Sequence, residues 1–538
     1  MAVGHGIILG GMLERPDQAE LRNQRPGEYK EPDYWPNTKR SAGAHRIATF
    51  LRENDWDIEV LDFWPSWTKE ELFEFLDDRV SDETIWIGFS AMFPLGGALE
   101  KAREMMTIIA EMKMRYPNQK FIGGAMNASA IWHYPLDYHC TGFGEKGVLE
   151  LLKYIKGESN TVVITEREHY GIKRQVVECD TNHPAYPMAD AWVQYEDRDF
   201  IQPQEVLTLE LARGCKFQCK FCSNTVLGIK GDYSRCGDSV FHELWNNYFN
   251  WGTQVYTVSD ETINENPDKL AKFAKAINKL PFDVHLQGFI RADLLVSHPS
   301  TWQDIWDMGL WTHLYGIETL NHEAGKYVGK GMNPDRLKEG LLKVRDWFQA
   351  KGRYRVGIST IIGLPGEPKE SIFRTKEWIK TNFPGQAYTF SPLMIAQGEV
   401  YNMMTNPSIL DRTWRESGEF EEMTQEEIDN VDYSTIPESY HQIVKFYMEA
   451  PGIAKWKHKY MNFFEAWQIM AEIANDSEMT NNLAPMTFDY HKYLNHGKYN
   501  IDDMTKSFNE IESYGPADIP DQLAWIQGYK VKKMLKNA

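Results

Sequence analysis

Cys215, Cys219 and Cys222 stand in LARGCKFQCKFC with the spacing C-x3-C-x2-C, and Phe221 directly precedes the last of them. Three thiolates can grip three irons of a cubane [4Fe–4S] cluster and leave the fourth iron without a protein ligand. An iron left open in this way can bind a small molecule and pass it an electron. The run TLELARGC ahead of the cysteines reads as a strand entering a loop, a place where ligands can converge. Zinc is the first alternative and would need a fourth Cys or His nearby. Cys236, fourteen residues past Cys222, is a conceivable partner, although the spacing is unusual for zinc. Unrelated buried thiols are the second alternative.

The elements that must position this loop follow it. From Glu205 onward, strand-like runs alternate with helical apolar spacing six times. The strands are EVLTLELAR, QVYTVSD (254–260), FDVHLQGFI (282–290), THLYGIE (312–318), YRVGISTIIG (354–363) and QAYTFSPLMI (386–395). Strand then helix, repeated, predicts a parallel sheet curling into a partial (β/α)6 barrel. The cysteine segment resembles the signature of the radical SAM superfamily, and the barrel is the core that this family carries. The resemblance implies that the open iron chelates the amino and carboxylate groups of S-adenosylmethionine (SAM). Reductive cleavage of the sulfonium bond would then give a 5′-deoxyadenosyl radical, so the hard chemistry would belong to the cofactor.

Strand ends of the core match the family's SAM-contacting positions. Ser259-Asp260-Glu261 ends the second strand, where the family places polar groups facing the SAM ammonium; Asp260 suits that cation, and a solvated acidic loop is the alternative. Arg291, after the third strand, would pair with the SAM carboxylate, or make a surface ion pair. Glu318, in YGIETL, resembles the family's GIES element, which holds ribose hydroxyls or the ammonium group. GKYVGKGMN resembles the stretch that follows it. Gly363-Leu364-Pro365-Gly366-Glu367 resembles a GLPGE-type turn, in which Gly363 and Gly366 would let backbone approach adenine. Phe221 would pack beside the cluster and keep water off it.

The first 155 residues also alternate, as in a doubly wound α/β sheet: GIILGG (6–11), DIEVLDF (57–63), IWIGFSAMF (85–93) and KFIGGAMN (120–127) read as strands with helices between them. The layout resembles the Rossmann-like cobalamin-binding domain at the N-terminus of many radical SAM enzymes. Ser90-Ala91-Met92 stands where that family has Ser-x-Leu, and Gly123-Gly124 where it has paired glycines. A small hydroxyl and side-chain-free backbone would admit a nucleotide tail. The family's cobalt-ligating Asp-x-His-x-x-Gly is missing after the first strand. Asp137-Tyr138-His139-Cys140-Thr141-Gly142 matches its letters after the fourth strand and reads as coincidence. An empty domain that keeps the fold alone is the alternative to bound cobalamin. Residues 156–203 read as a linker with strand-like pieces TVVITE and KRQVVEC, residues 204–400 as the core, and residues 401–538 as a mostly helical cap over the open end of the barrel. The PDYWP loop, Trp64, Trp67 and the C-terminal aromatics line a cavity or simply pack.

Composition narrows the function classes. The 538 residues carry 58 Lys and Arg against 77 Asp and Glu, a net charge of −19 that disfavours duplex nucleic acid. No apolar stretch of about 18 residues suggests a membrane span, and the N-terminus reads as a strand rather than a signal peptide. Outside the triad only Cys140, Cys179 and Cys236 remain, scattered, so a reducing cytoplasm is expected. The favoured reading is a cobalamin-dependent methyltransferase acting on a small molecule or peptide, reduced by a flavodoxin or ferredoxin, as the family usually is. Ring contraction or cyclisation, with or without cobalamin, is an alternative. A methylthiotransferase would need three further N-terminal cysteines, and only Cys140 and Cys179 precede the triad. A non-catalytic Fe–S or cobalamin carrier would not need the strand-end residues.

Overall fold

The computed structural model describes residues 3–10, 40–62, 64, 69–90, 98–125, 132, 134–169, 172–179, 188–199, 201, 207–222, 233–384, 386–395, 418–449 and 453–474. The PDYWP loop, Trp67, Ala91-Met92 and most C-terminal aromatics lie outside them. Among the described residues no helix is long and apolar enough to cross a membrane.

The N-terminal part is a seven-stranded sheet: β1 (His5–Gly10), β2 (Asp57–Asp62), β3 (Thr84–Ser90), β4 (Lys120–Ala125), β5 (Tyr138–Thr141), β6 (Ile164–His169) and β7 (Ile172–Glu178), in the order β2-β1-β3-β4-β5-β7-β6. Its first five strands are parallel, and β1 and β3 are nearly continuous apolar runs, which only a sheet covered on both faces can bury. Helices α1 (Ala42–Arg52) and α4 (Gly144–Ile155) join one core, around Ile8, Ala48, Val60 and Leu152. Helices α2 (Lys69–Arg79) and α3 (Ala98–Arg115) close the other, around Leu9, Leu76, Ile109 and Phe121. Trp64 belongs to that second core, edge-on to Phe89, so it packs rather than lining a cavity.

Two sequence expectations need correction here. The short segment after the fourth strand is itself a strand, β5. TVVITE and KRQVVEC, expected in a linker, pair as the antiparallel hairpin β6–β7, and β7 continues the sheet beside β5. Val176 and Val177 bury themselves there while Lys173, Gln175 and Glu178 stay exposed, so the alternation is too weak to read as a core strand. Cys140 and Cys179 are not scattered either: β5 brings their thiols together, and that contact with burial pushes the Cys140 thiol up.

The central part is a six-stranded parallel sheet of β8 (Leu207–Leu209), β11 (Val255–Val258), β12 (His285–Ile290), β13 (Leu310–Glu318), β14 (Arg355–Ile362) and β15 (Ala387–Pro392), in that spatial order. The short pair β9 (Ala212–Arg213) and β10 (Tyr233–Ser234) flanks the first of these. Connecting helices are α5 (Gly237–Trp251), α6 (Pro267–Ile277), α7 (Ala292–Ser297), α8 (Trp302–Asp307), α9 (His322–Val328), α10 (Pro334–Ala350) and α11 (Lys369–Asn382). Their starts are locally encoded: Asn266 before Pro267 and Asn333 before Pro334 each cap a helix with the side-chain oxygen. All six strands are parallel, as the alternation predicts.

The described C-terminal residues form α12 (Gln425–Asp429), α13 (Glu438–Glu449), α14 (Phe463–Ala474) and a small antiparallel sheet of β16 (Glu421–Glu422), β17 (Trp456–His458) and β18 (Met461–Asn462). Their apolar residues Phe420, Trp456, Phe463 and Trp467 belong to the same core as the barrel strands.

Candidate active site

The three cysteines lie on the loop that leaves β9, after Gly214 at φ 87°. Cys219 is buried, Cys215 and Cys222 half buried. The loop is braced on several sides. Lys220 donates its backbone N–H to Val328 O at 3.2 Å, and Gly329, at φ 85°, ends α9 directly against the Cys219 backbone. Lys216 N–H donates to Glu265 at 3.2 Å, and the Lys216 ammonium also reaches the Glu265 carbonyl. Phe221 packs on the barrel core with the Lys330 ammonium 6.0 Å over its ring.

Cys236, a conceivable fourth zinc ligand, is used otherwise. Its sulfur caps α5, accepting from Ser239 N–H at 3.3 Å, and its thiol faces Asp190. Among the described residues no three His, Cys, Asp or Glu side chains converge as a single-ion site needs. Three free thiols on one loop are the donor set that a [4Fe–4S] cluster with one open iron takes.

Two of the expected SAM contacts are otherwise engaged. Asp260 is buried, and its carboxylate accepts from Leu211 N–H at 2.9 Å and Ala212 N–H at 3.0 Å, with the Lys269 ammonium 3.1 Å away. It therefore ties the end of β11 to the segment entering the cysteine loop rather than offering itself to a ligand ammonium. Glu261 is the freer carboxylate. Burial pushes it up to about 7, and Asp260 and Glu210 add to the shift. An ammonium group arriving beside it would restore full ionisation. Nothing in the sequence ranks Glu261 over Asp260, because the choice depends on two backbone N–H groups about fifty residues upstream.

Arg291 is likewise not open to a carboxylate. It forks onto Asp293 at 2.6 and 3.0 Å, stacks 3.9 Å over Phe217, and donates to Cys219 Sγ at 3.2 Å. Hydrogen bonds to cluster sulfurs help set reduction potential, a role that the Arg291 contact with Cys219 Sγ would allow. Glu318 ends β13 in the left-handed region at φ 65°, an arrangement that costs a non-glycine residue about 1–3 kcal/mol and marks strand ends used for binding. Burial pushes its carboxyl up, and Lys330, 3.5 Å away, opposes that. Lys330 is placed by donating to Gly316 O at 2.7 Å. A narrow recess of mixed lining, polar at Asp293, Thr319, Asn321 and Lys330 and apolar at Met332 and Leu337, runs beside them.

Gly363, at φ 97°, does not offer an open face. A Cβ there would overlap the Trp456 indole, whose N–H donates to Leu393 O at 2.8 Å. Burial pushes His458 down to about 4, so its neutral ring donates from Nε2 to Gly363 O at 3.2 Å. Gly366, at φ 82°, keeps ordinary room on its open side, with Glu323 Cβ 3.8 Å from where a Cβ would stand. Glu367 next to it is buried and accepts from Ser371 Oγ at 3.0 Å. Burial raises its carboxyl from the ordinary 4.5 to about 7. A raised folded-state value favours folding below pH 4.5 and loses that contribution as pH rises through 7. Glu367→Gln should therefore match the wild type at pH 4.5 and exceed it at pH 8, by up to about 3 kcal/mol. Urea midpoints at the two pH values check this; equal midpoints at pH 8 would refute it.

The concave face of the barrel is layered by register. Tyr256, Leu286, Ile290, Ile358 and Ile362 face the helices in the core, so alternate residues face inward. The lowest layer runs Thr208, Thr257, Gln287, Thr312 and Arg355, with Gln287 donating to Thr257 Oγ1 at 2.6 Å. Above it come Ser259 and the paired Phe289, Leu314 and Gly357, then Gly316, Ser359 and Thr389. Phe289 is 48% exposed on a central strand, which requires open space in front of it. It stands two residues, about 7 Å along the strand, below Arg291 at the cysteine loop. At the level of Phe289 only Glu210 at the sheet edge is ionisable among the described residues, and it is paired with Arg213.

In the N-terminal sheet, register places Ser90 directly beside Gly124, at the carboxyl edge. Gly123 is buried between Phe89 and His139, and Gly124 is half exposed with 4.0 Å to the nearest atom a Cβ would meet. Ser90 Oγ lies 2.5 Å from Oγ of Ser41, which caps α1. Sequence reading missed Ser41, though its place before a helix-forming run was the available signal. The strand order reverses between β1 and β3, and such switch points are where open α/β sheets bind ligands. Beside it, Asp62 is held below the usual carboxylate range: burial acts to raise it, but His45 and Arg40 at 2.9 and 2.6 Å outweigh that.

Residues 209–379 match the family model of the radical SAM superfamily. An uncharacterized methyltransferase of Pyrococcus horikoshii, PH0819, is 23% identical over 169 residues, 31% of this chain and 35% of that protein. The fold is similar to TsrM from Kitasatospora setae with cobalamin and a [4Fe–4S] cluster bound, at TM-score 0.59 and 13% identity over 95% of this chain and all of that one. It is also similar to OxsB, a cobalamin-dependent radical enzyme solved with aqua-cobalamin and SAM, at TM-score 0.51 and 15% identity over 70% of this chain and 52% of that one. The chain thus spans about a third of the curated relative and half of OxsB. The cysteine loop and the parallel half-barrel lie in the segment that matches: residues 209–379 carry a radical SAM domain, which implies a [4Fe–4S] cluster and SAM.

Proposed function

We propose that this chain is a cobalamin-dependent radical SAM methyltransferase. One observation carries the reading: a switch-point sheet edge bearing Ser90 beside Gly124 is built into the same chain as a three-thiol loop over an open half-barrel. The fold shared with TsrM along its whole length, and with OxsB, supports it. Cys215, Cys219 and Cys222 would hold the cluster, and Glu261, Glu318, Gly366 and Phe221 would surround SAM. Bound there, the cluster would supply the electron that cleaves SAM. Ser90, Ser41, Gly123 and Gly124 would admit the tail of a cobalamin, which would supply the methyl-carrying chemistry. Ser259, Phe289, Leu314, Ser359 and Thr389 offer hydroxyls and one aromatic face without net charge, so the part of the substrate that enters is an uncharged, apolar or flat moiety.

Protein produced with hydroxocobalamin and purified without oxygen should show a corrinoid spectrum that dilution does not remove. A colourless N-terminal domain would sink the cobalamin reading and leave a cobalamin-free radical enzyme. Tryptophan, the substrate of TsrM, is a first acceptor to test. Phe289→Ala should keep 5′-deoxyadenosine formation within about twofold while cutting methylated product about tenfold or more. Parallel loss of both would refute the placement of substrate on Phe289.

A further inference from the structure

We propose that Arg46, Glu145, Glu210 and Arg213 form an interdomain clasp that sets where the cysteine loop stands relative to the ligand edge of the N-terminal sheet. Arg46 lies on α1 and Glu145 in the first turn of α4, both in the N-terminal part. Glu210 and Arg213 lie on the strand segment that ends two residues before Cys215. Arg213 donates to Glu145 at 2.5 Å and to Glu210 at 2.6 and 3.0 Å. Arg46 closes the ring, 3.5 Å from each of the two carboxylates. Arg46, Glu145 and Arg213 are each at least nine-tenths buried. The ring alternates in sign, so each charge faces two of the opposite kind.

The clasp is anchored on both sides. Arg46 also donates to the Trp192 carbonyl, and Arg213 stacks 4.2 Å over Phe143, the residue before α4. From the barrel, Arg235 donates to Glu210 O at 2.9 Å, and its own backbone N–H meets Leu211 O at 2.9 Å. Ser41, against Ser90, and Arg46 are on one helix, five residues or about 7.5 Å apart. A displacement at the sheet edge is therefore carried along a rigid turn and a half to the segment that carries Cys215. Buried ion pairs add little net stability, because desolvation offsets their attraction; their use is to fix one arrangement against alternatives. These are positioning residues, since none touches a reacting atom. The inference rests on the cluster being held by Cys215, Cys219 and Cys222, and not on cobalamin.

Hydrogen exchange on the full-length, iron-reconstituted protein tests it. Iron should protect backbone amides of residues 211–222 in the wild type. Glu145→Gln, which keeps size and loses charge, should speed exchange there about tenfold or more while strands β2 and β3 change less than about twofold. Glu145→Asp, which keeps the charge, should recover most of the protection. Cluster content should stay full, and 5′-deoxyadenosine formation should fall about tenfold in Glu145→Gln. Unchanged exchange at 211–222 with iron loaded overturns the clasp. So does equal loosening of β2 and β3, which would make Glu145 only a brace of its own domain. Wild-type protein in which iron adds no protection to 211–222 overturns the cluster assignment instead, so the two failures are distinguishable.

Discussion

Cys219→Ser should leave a folded chain that has lost its cluster. Reconstituted under anaerobic conditions, it should show neither the broad brown absorbance of a [4Fe–4S] cube nor the signal of its reduced form. Reductive cleavage of SAM should fall by about a thousandfold or more, equivalent to ~4 kcal/mol of barrier. The effect is large because serine replaces a soft thiolate that irons prefer, at the most buried of the three positions and the one that Arg291 addresses at 3.2 Å. The fold should survive, because the cysteines sit on a loop braced by Val328, Gly329 and Glu265 through backbone and flanking residues. Cys236→Ser is the matched control. A serine hydroxyl can still cap α5, so iron and activity should stay at the wild-type level. Full iron in the first variant, or loss of metal in the second, would contradict the assignment of ligands.

Gly363→Ala should be the most destabilising single-methyl change near the site. At φ 97° an alanine is strained by about 1–3 kcal/mol, and its methyl would overlap the buried Trp456 indole, adding about 1–3 kcal/mol. A loss of about 2–5 kcal/mol is expected, read as a lower urea midpoint with an unchanged slope. Gly352→Ala separates the two causes. Gly352 has φ 87° but nothing within 4 Å of a Cβ, so it should show strain alone. Trp456→Phe in the Gly363→Ala background should restore part of the loss by removing a ring. If Gly352→Ala and Gly363→Ala lose stability equally, the contact with Trp456 does not matter energetically.

The half-barrel was legible because strand-like runs alternate six times with helical apolar spacing, while Asn-Pro pairs announce helix starts. The cysteine loop was legible from spacing alone. The roles of the carboxylates were not. Asp260 and Glu261 are adjacent and chemically alike, and only the backbone N–H groups of Leu211 and Ala212 decide which one turns inward. The surroundings of Arg291 and Gly363 were not legible for a similar reason: their partners, Asp293 with Cys219 and Trp456, are set by packing and not by their own motifs. The hairpin β6–β7 escaped because one of its strands is mostly exposed, so its pattern resembles that of a connector. The pairing of Ser90 with Gly124 joins two motif elements whose adjacency depends on strand register, which spacing does not encode.

The core shared by barrel and C-terminal segment bears on how such an enzyme can be reshuffled. Trp456, Phe463 and Trp467 complete the packing of β14 and β15, so a protein stopped after Ile395 would bare a wide oily wall along its last strands. Recombination that swaps this tail among relatives would have to carry the matching strand faces with it, and the half-barrel is not a cassette that evolution or an engineer can lift out alone.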